Sequence, residues 1–232
     1  DNSVVFGLEN EFDSMYMKYK TDWLGVNQGI VSTSNYIDFQ SRVSKNLYAT
    51  LGARFDEHTK AGNEDSHRAT LAYLFDDKKT KLKSSYGTGF RFPSLYELYY
   101  ISGADETSQK KVKAETSKSY EVGVEKFFTN LGLNIEVSYF NLEYYDTLEG
   151  DWYAPWQTLN YPGTVKSEGL ELASKWKIND LLNFDLNYTY TSTYDGAEQD
   201  NPNTSYKNAQ MVRVPRNIVN LATKIKFPSY KN

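Results

Sequence analysis

Cysteine is absent from the 232 residues. That excludes a disulfide framework and any thiolate-based zinc site. No apolar run approaches the roughly 18 to 20 residues that a membrane-crossing helix needs, and mean hydropathy is −0.67. The opening DNSVVFGLENEF has neither the basic start nor the apolar core of a secretory signal. A surplus of charge is also lacking: a net charge of −4 leaves no basic footprint for nucleic acid. Helical stripes are scarce. No serine, histidine and carboxylate set sits in the strand–turn–helix setting of a nucleophilic enzyme, so no catalytic residue is expected. What is abundant is tyrosine, with 20 residues. A polar, Tyr-rich, Cys-free chain fits either an outer-membrane barrel, whose strands alternate polar and apolar positions, or a soluble all-β domain.

Period-2 alternation dominates. In 181–191, Leu182, Phe184, Leu186, Tyr188 and Tyr190 fall on one face, and Asn183, Asp185, Asn187, Thr189 and Thr191 on the other. Segment 46–56 repeats this with Leu47, Leu51 and Phe55 against Tyr48, Arg54 and Asp56, and 131–139 with Leu133, Ile135 and Val137 against Asn134 and Glu136. The pattern predicts strands over 3–13, 31–43, 46–58, 66–76, 80–92, 117–128, 131–146, 164–178, 181–194 and 211–227. The connections alternate between long (14–30, 59–65, 93–116, 147–163, 195–210) and tight (near 44–45, 77–79, 129–130, 179–180). Outer-membrane barrels sort their loops this way, and the strands exceed the usual soluble length of about 5 or 6 residues. The polar faces carry Lys81, Lys83, Arg91, Glu121, Glu125, Glu171, Lys175, Lys177, Lys224 and Lys226, each costly in a dry core but not in a wet lumen. A sheet with one solvated face accounts for the alternation equally well; loop asymmetry and strand length favour the barrel. The expected fold is all-β, an antiparallel up-and-down meander of about ten strands.

Segment 84–100, SSYGTGFRFPSLYELYY, resembles a barrel signature of TonB-dependent outer-membrane receptors, with Gly89, Phe90, Arg91, Pro93, Ser94 and Glu97 in place. KVKAETSKSYEVGVE (111–125) resembles the family's next segment through Glu115, Ser117, Glu121 and Gly123, although Val112 and Ala114 replace the usual Leu and Pro. NYPGTVKSEGLELASKW (160–176) matches a third through Asn160, Gly163, Gly169 and Glu171, and VRVPRNIVNL (212–221) a fourth through Arg213 and Pro215. The resemblance implies a 22-stranded transmembrane barrel with an N-terminal plug, of which residues 1–232 would be a partial barrel domain lacking the plug and the last strands. It also implies residence in the bacterial outer membrane among its lipids, energisation through TonB via the plug, and uptake of a scarce bulky nutrient. The spacing in 84–125 looks most like the cobalamin-receptor branch; ferric siderophore and haem branches share these motifs. A passive porin or adhesin barrel and a soluble carbohydrate-binding β-domain are the alternatives.

In the barrel reading Tyr86 and Phe90 face lipid or its interface, Arg91 points into the lumen, and Pro93 ends the strand's pairing. Five loops then gather at the outer rim. Trp23, Tyr99, Tyr100, Trp152 and Trp156 are the candidates for ligand contact, since aromatics offer much area at low entropy cost. Tyr16, Tyr19 and Tyr153 share that chemistry, and anchoring at the membrane interface is the competing role. Asp56, Glu64 and Asp65, with Glu57 and Asn63, place oxygen donors around one loop, and Asp195, Glu198 and Asp200 around another. No cofactor is expected; calcium, which takes oxygen ligands, is the candidate metal, but EF-hand spacing is lacking and acidic surface loops are common without a metal. His58 and His67 flank the first of these loops and could meet across a hairpin.

Overall fold

The computed structural model describes residues 2–18, 25–101, 112–151, 157–161, 163–196 and 210–227. The strands are β1 (Asn2–Lys18), β2 (Gly25–Arg42), β3 (Leu47–His58), β4 (Gly62–Leu74), β5 (Thr80–Arg91), β6 (Glu115–Phe128), β7 (Leu133–Tyr145), β8 (Leu148–Asp151), β9 (Gln157–Asn160), β10 (Thr164–Lys177), β11 (Leu182–Asp195) and β12 (Asn217–Ile225). Ten of them form one sheet in the order β1-β2-β3-β4-β5-β6-β7-β10-β11-β12. Every neighbouring pair is antiparallel. Strands β8 and β9 form a separate hairpin inside the β7–β10 connection. The described helices are a single-turn π-helix, Tyr96–Ile101, and a 3-10 turn, Thr129–Leu131; neither could cross a membrane.

Register turns the alternation of each strand into two continuous faces. Leu47, Tyr73, Leu82, Val124, Val137, Leu172, Tyr188 and Val219 are successive partners in one row across eight strands. The adjacent row, on the opposite face, reads Lys83, Gly123, Ser138, Glu171 and Thr189. All the apolar residues expected together share the first (outer) face, and Arg54, Glu121, Glu125, Glu136, Glu171, Lys175, Asp185 and Asn187 share the second (inner) one. The outer face has no protein partner among the described residues: Leu51 is 56% exposed and Leu170 51%. An apolar surface that extends over ten strands marks a membrane or partner contact. Near the loop end this face carries a tyrosine girdle. Tyr86 pairs with Tyr120, the Tyr120 and Tyr139 rings lie 6.1 Å apart, and Tyr188 and Tyr190 continue on β11. Amphipathic rings of this kind sit at the headgroup level of barrels.

The tight turns form where expected, each with its own local chemistry. Asp77 accepts the amides of Lys79 and Thr80, both at 2.8 Å, and the ammonium of Lys126 at 2.6 Å, which lets Lys78 sit at φ 52. Gly132 sits at φ 60, where an added Cβ would lie 2.5 Å from the carbonyl oxygen of Lys177. The loops differ more from expectation. Pairing between β1 and β2 continues to Lys18 and Gly25, so most of 14–30 is strand and Tyr16 lies on it rather than in a loop. Segment 59–65 reduces to a three-residue turn, because Gly62 at φ 89 closes the chain at once and 62–65 join β4. Strand β12 starts at Asn217, not 211: the turn from Met211 to Val214 puts Arg213 at φ 66.

Candidate functional site

Strict alternation places the β1–β2, β3–β4, β5–β6, β7–β10 and β11–β12 connections at one end of the sheet. The described part of this mouth is built around Arg91, the last residue of β5. Its Nη1 and Nη2 each donate to a different oxygen of Glu97 at 2.9 Å, and its Nε donates to Glu115 at 2.6 Å. A planar guanidinium is the side chain that can hold two carboxylates in fixed directions. The Ser94 amide and hydroxyl also donate to Glu97 at 2.8 Å, and the Glu97 amide returns a bond to the Ser94 hydroxyl at 3.3 Å. This is a capping box around the first turn of the π-helix. Burial by itself would raise the Glu97 carboxyl; the Arg91 guanidinium and the Ser94 donors outweigh it and hold the group below its ordinary value.

The same residues tie in the β8–β9 hairpin. Glu115 accepts the Leu148 amide at 2.6 Å, and the Glu97 carbonyl accepts the Thr158 hydroxyl at 2.6 Å. Asn160 accepts from the Lys113 amide at 2.7 Å and donates to the carbonyls of Lys113 and Asp146 at 3.0 and 2.9 Å. The π-helix thereby lies over the inner face, where Leu95, Leu98, Tyr99 and Val112 close on Ile30 of β2, with Met15, Met17 and Leu148 at the margin. This is the only cluster of buried hydrophobic side chains among the described residues, and Leu98 is 1% exposed. Burying one such leucine contributes about 1.5–3 kcal/mol.

The residues of the family-like motifs thus act as a clasp between two connections. Pro93 is fully buried and lies two residues past Arg91, the last paired residue of β5. Phe90 lies on the outer face, its ring 5.0 Å from Phe92. Gly89 and Glu121 lie on the inner face, as does Glu171. Gly169 packs where any Cβ would come within 2.0 Å of the Tyr190 carbonyl oxygen and 2.7 Å of the Phe140 ring. Arg213 and Pro215 lie in the irregular approach to β12.

The candidate ligand and metal residues are placed unevenly. Tyr99 is a packing residue, 5% exposed, whose hydroxyl has no partner among the described residues. Trp23, Trp152 and Trp156 lie outside the described residues, as do Tyr19, Tyr153, Glu198, Asp200 and the side chain of Tyr100. Asp56 and Glu64 are partners in one row, whereas Asp65 pairs with Phe55 and so points to the opposite face. Asp56 is already engaged by Arg54, at 2.9 Å, and by Ser34. The structure therefore does not bring the three carboxylates together, and no described group of three such residues is arranged to hold a metal. His58 and His67 do not meet either. His58 faces inward, stacked on Phe92 at 4.6 Å, and its Nδ1 accepts the Lys60 and Ala61 amides. His67 faces outward and pairs with Asp65 at 2.7 Å. The capping-box spacing of Ser94 and Glu97 was visible in the sequence; the bonds from Glu97 and Glu115 to the hairpin had no local signal.

Comparison with known proteins agrees with this geometry. The family model described as "TonB dependent receptor-like, beta-barrel" matches residues 5–230. A probable TonB-dependent siderophore receptor PirA of Acinetobacter baumannii is 25% identical over 160 residues, covering 62% of this chain and 21% of that protein. The chain therefore spans about a fifth of that relative's length. Among solved structures, the siderophore receptor PirA from Pseudomonas aeruginosa aligns with TM-score 0.71 and 20% identity, over 83% of this chain and 37% of that one. The ferripyoverdine receptor of the P. aeruginosa outer membrane, bound to ferripyoverdine, aligns with TM-score 0.66 and 15% identity, over 92% and 28%. With a ten-stranded meander, two chemically opposite faces and a clasped mouth already in view, the match over almost the whole sequence leads to one conclusion: the chain belongs to the TonB-dependent receptor β-barrel family.

Proposed function

We propose that this chain is part of the barrel wall and mouth of an active-uptake receptor in the bacterial outer membrane, that its cargo is a ferric chelate, and that release to the cell is driven through TonB acting on a plug domain. The observation that carries this reading is the mouth. Five connections lie at one end of a wall whose inner face is polar, and two of them are braced against each other through Arg91, Glu97, Glu115, Thr158 and Asn160. A passive pore needs no such bracing. A rare, bulky cargo does, because capture depends on preorganised contacts rather than on diffusion through an open channel. Two similar proteins are named as siderophore receptors, which favours a ferric chelate over a corrinoid. Relatives are named as receptors, consistent with a non-enzymatic role.

The test uses the complete gene. A strain lacking it should lose growth on one ferric chelate supplied as sole iron source, and regain it on complementation. Disrupting TonB should have the same effect as the deletion. Normal growth of the deletion strain on every ferric chelate tried, combined with loss of cobalamin-dependent growth, would move the assignment to the corrinoid branch.

A further inference from the structure

Resting on the reading above, we infer that the turn end of the inner face is a docking surface for the plug, and that the plug segment seated there carries a carboxylate held between Lys175 and Lys224. The two lysines lie on β10 and β12, the strands that flank β11. Register sets Lys175 opposite Asn134 on one side and Asp185 on the other, and Lys224 opposite Asn183. With Phe127, the partner of Asn134 on β6, these residues line one cavity of about 490 Å³. Five lysines face inward from the described strands. Lys81, Lys83 and Lys177 are each paired, with Glu125, Glu136 and Asp180. The two that pair with no carboxylate among the described residues are Lys175 and Lys224, and they share the cavity. Arg42, at the same end of β2, is occupied instead by the carbonyls of Ser44 and Lys45.

Lys177 also lines the cavity, but Asp180 neutralises it. Asp185 is the one carboxylate among the lining residues, so two ammoniums against it leave one positive charge over. In a wall open to water such a surplus costs little. Under a docked protein surface it does not, because a covered charge needs a partner. The plug of the proposed receptor covers this face, so the partner has to come from the plug. A carboxylate placed between the two lysines receives charge-assisted hydrogen bonds from both. The Phe127 ring beside it suits an apolar neighbour in the same segment. Opposite charges that meet at one place fix register and orientation more than they add affinity. The cavity lies at the end of the wall where the tight turns are, opposite the mouth. In the receptor reading TonB acts from that end, so this contact is the first that a pull on the plug would load. It is a latch that holds the plug at rest and gives way under load.

The experiment uses the complete receptor in the outer membrane. A benzophenone is attached at Asn183→Cys, between the two lysines; residues 1–232 hold no other cysteine. Irradiation followed by mass spectrometry should link position 183 to a plug peptide that contains Asp or Glu. Lys175→Glu combined with Lys224→Glu should raise the sensitivity of cells to vancomycin, which a seated plug excludes, several-fold. Changing the linked acidic residue of the plug to Lys should reverse that effect. Should the charge-reversed receptor not insert, judged by its heat-modifiable mobility on gels, the cross-link made with both lysines intact decides the matter. Cross-linking only to another strand of the wall, only to lipid, or to a plug peptide without an acidic residue overturns the inference and leaves the receptor assignment standing. Unchanged exclusion of vancomycin by an inserted, charge-reversed receptor overturns it as well. A complete gene that encodes no plug defeats the reading above, and this inference with it.

Discussion

Gly169 and Arg91 show how single positions carry the architecture. The backbone of β11 and the ring of Phe140 close on Gly169 so tightly that even a methyl group has no room. Gly169→Ala should destabilise the barrel by about 1–3 kcal/mol, the usual effect of overpacking. The measurement is the fraction of full-length receptor that keeps its folded, heat-modifiable mobility on gels. Arg91 acts differently, since its guanidinium neutralises two carboxylates that would otherwise face each other. Arg91→Ala should cost about 1–3 kcal/mol of local stability, with solvent screening keeping the value toward the lower end. Arg91→Lys should recover only part of it, because an ammonium cannot make the same fork. Protease cleavage within 92–114 on intact cells reports this without requiring the barrel to unfold.

At the scale of elements, the described parts of two connections, 92–101 with 112–114 and 146–151 with 157–161, are tied together, because Glu115, Thr158 and Asn160 bond across them. The pH response of this unit follows from Glu97. Its folded pKa lies below the ordinary value, so its contribution is complete above about pH 4.3. That contribution disappears as the pH falls through the depressed folded value. Protease sensitivity of 92–114 should therefore stay flat from pH 7 to 5 and rise only in stronger acid. Glu97→Gln should bring the acid behaviour to neutral pH. A rise already complete at pH 5 would mean that some other group controls the unit. At the opposite end, the Lys126 ammonium and two backbone amides hold Asp77 well below the usual carboxylate range. The 75–79 turn should accordingly be stable to all but extreme acid, and Asp77→Ala should slow hairpin formation and hence barrel assembly.

At the scale of the whole sheet the two faces are chemically opposite, and paired substitutions on adjacent residues can test the proposal that one of them meets lipid. Leu172 lies on the outer face and Glu171 on the inner one. Leu172→Arg places a charge toward the hydrocarbon, at a cost of about 2–4 kcal/mol if it lies at mid-membrane. Glu171→Arg should leave assembly intact. If both variants inserted equally well, the faces would be misassigned. Trp152 and Trp156, which lie outside the described residues, are proposed as cargo contacts and are tested at the same scale. In the complete receptor, replacing Trp152 and Trp156 together with Ala should weaken cargo capture while preserving surface expression. Each ring buried against a bulky ligand contributes about 1–3 kcal/mol, and uptake measured on whole cells is the readout. Unchanged affinity with normal expression would reassign both to packing.

The sequence by itself determined the two faces of every expected strand, from Leu47 and Phe55 against Arg54 to Phe184 and Leu186 against Asp185. It also determined the tight turns, because a period of two and a turn preference are local properties of the chain, but not the lengths of the connections at 14–30 and 59–65. Tertiary structure decided what happens at the mouth. Whether Tyr99 faces cargo or Ile30, whether Asp65 joins Asp56, and whether His58 meets His67 depend on where Gly62 closes a hairpin and where β1 and β2 stop pairing. A slip of one residue exchanges the two faces. The clasp was hidden for the same reason: Arg91 and Glu115 are brought together by strand register, and Asn160 reaches Lys113 only because the two connections fold over the same inner wall. Contacts between segments dozens of residues apart leave no periodic trace in sequence, whereas the alternation that builds the wall is written into each strand.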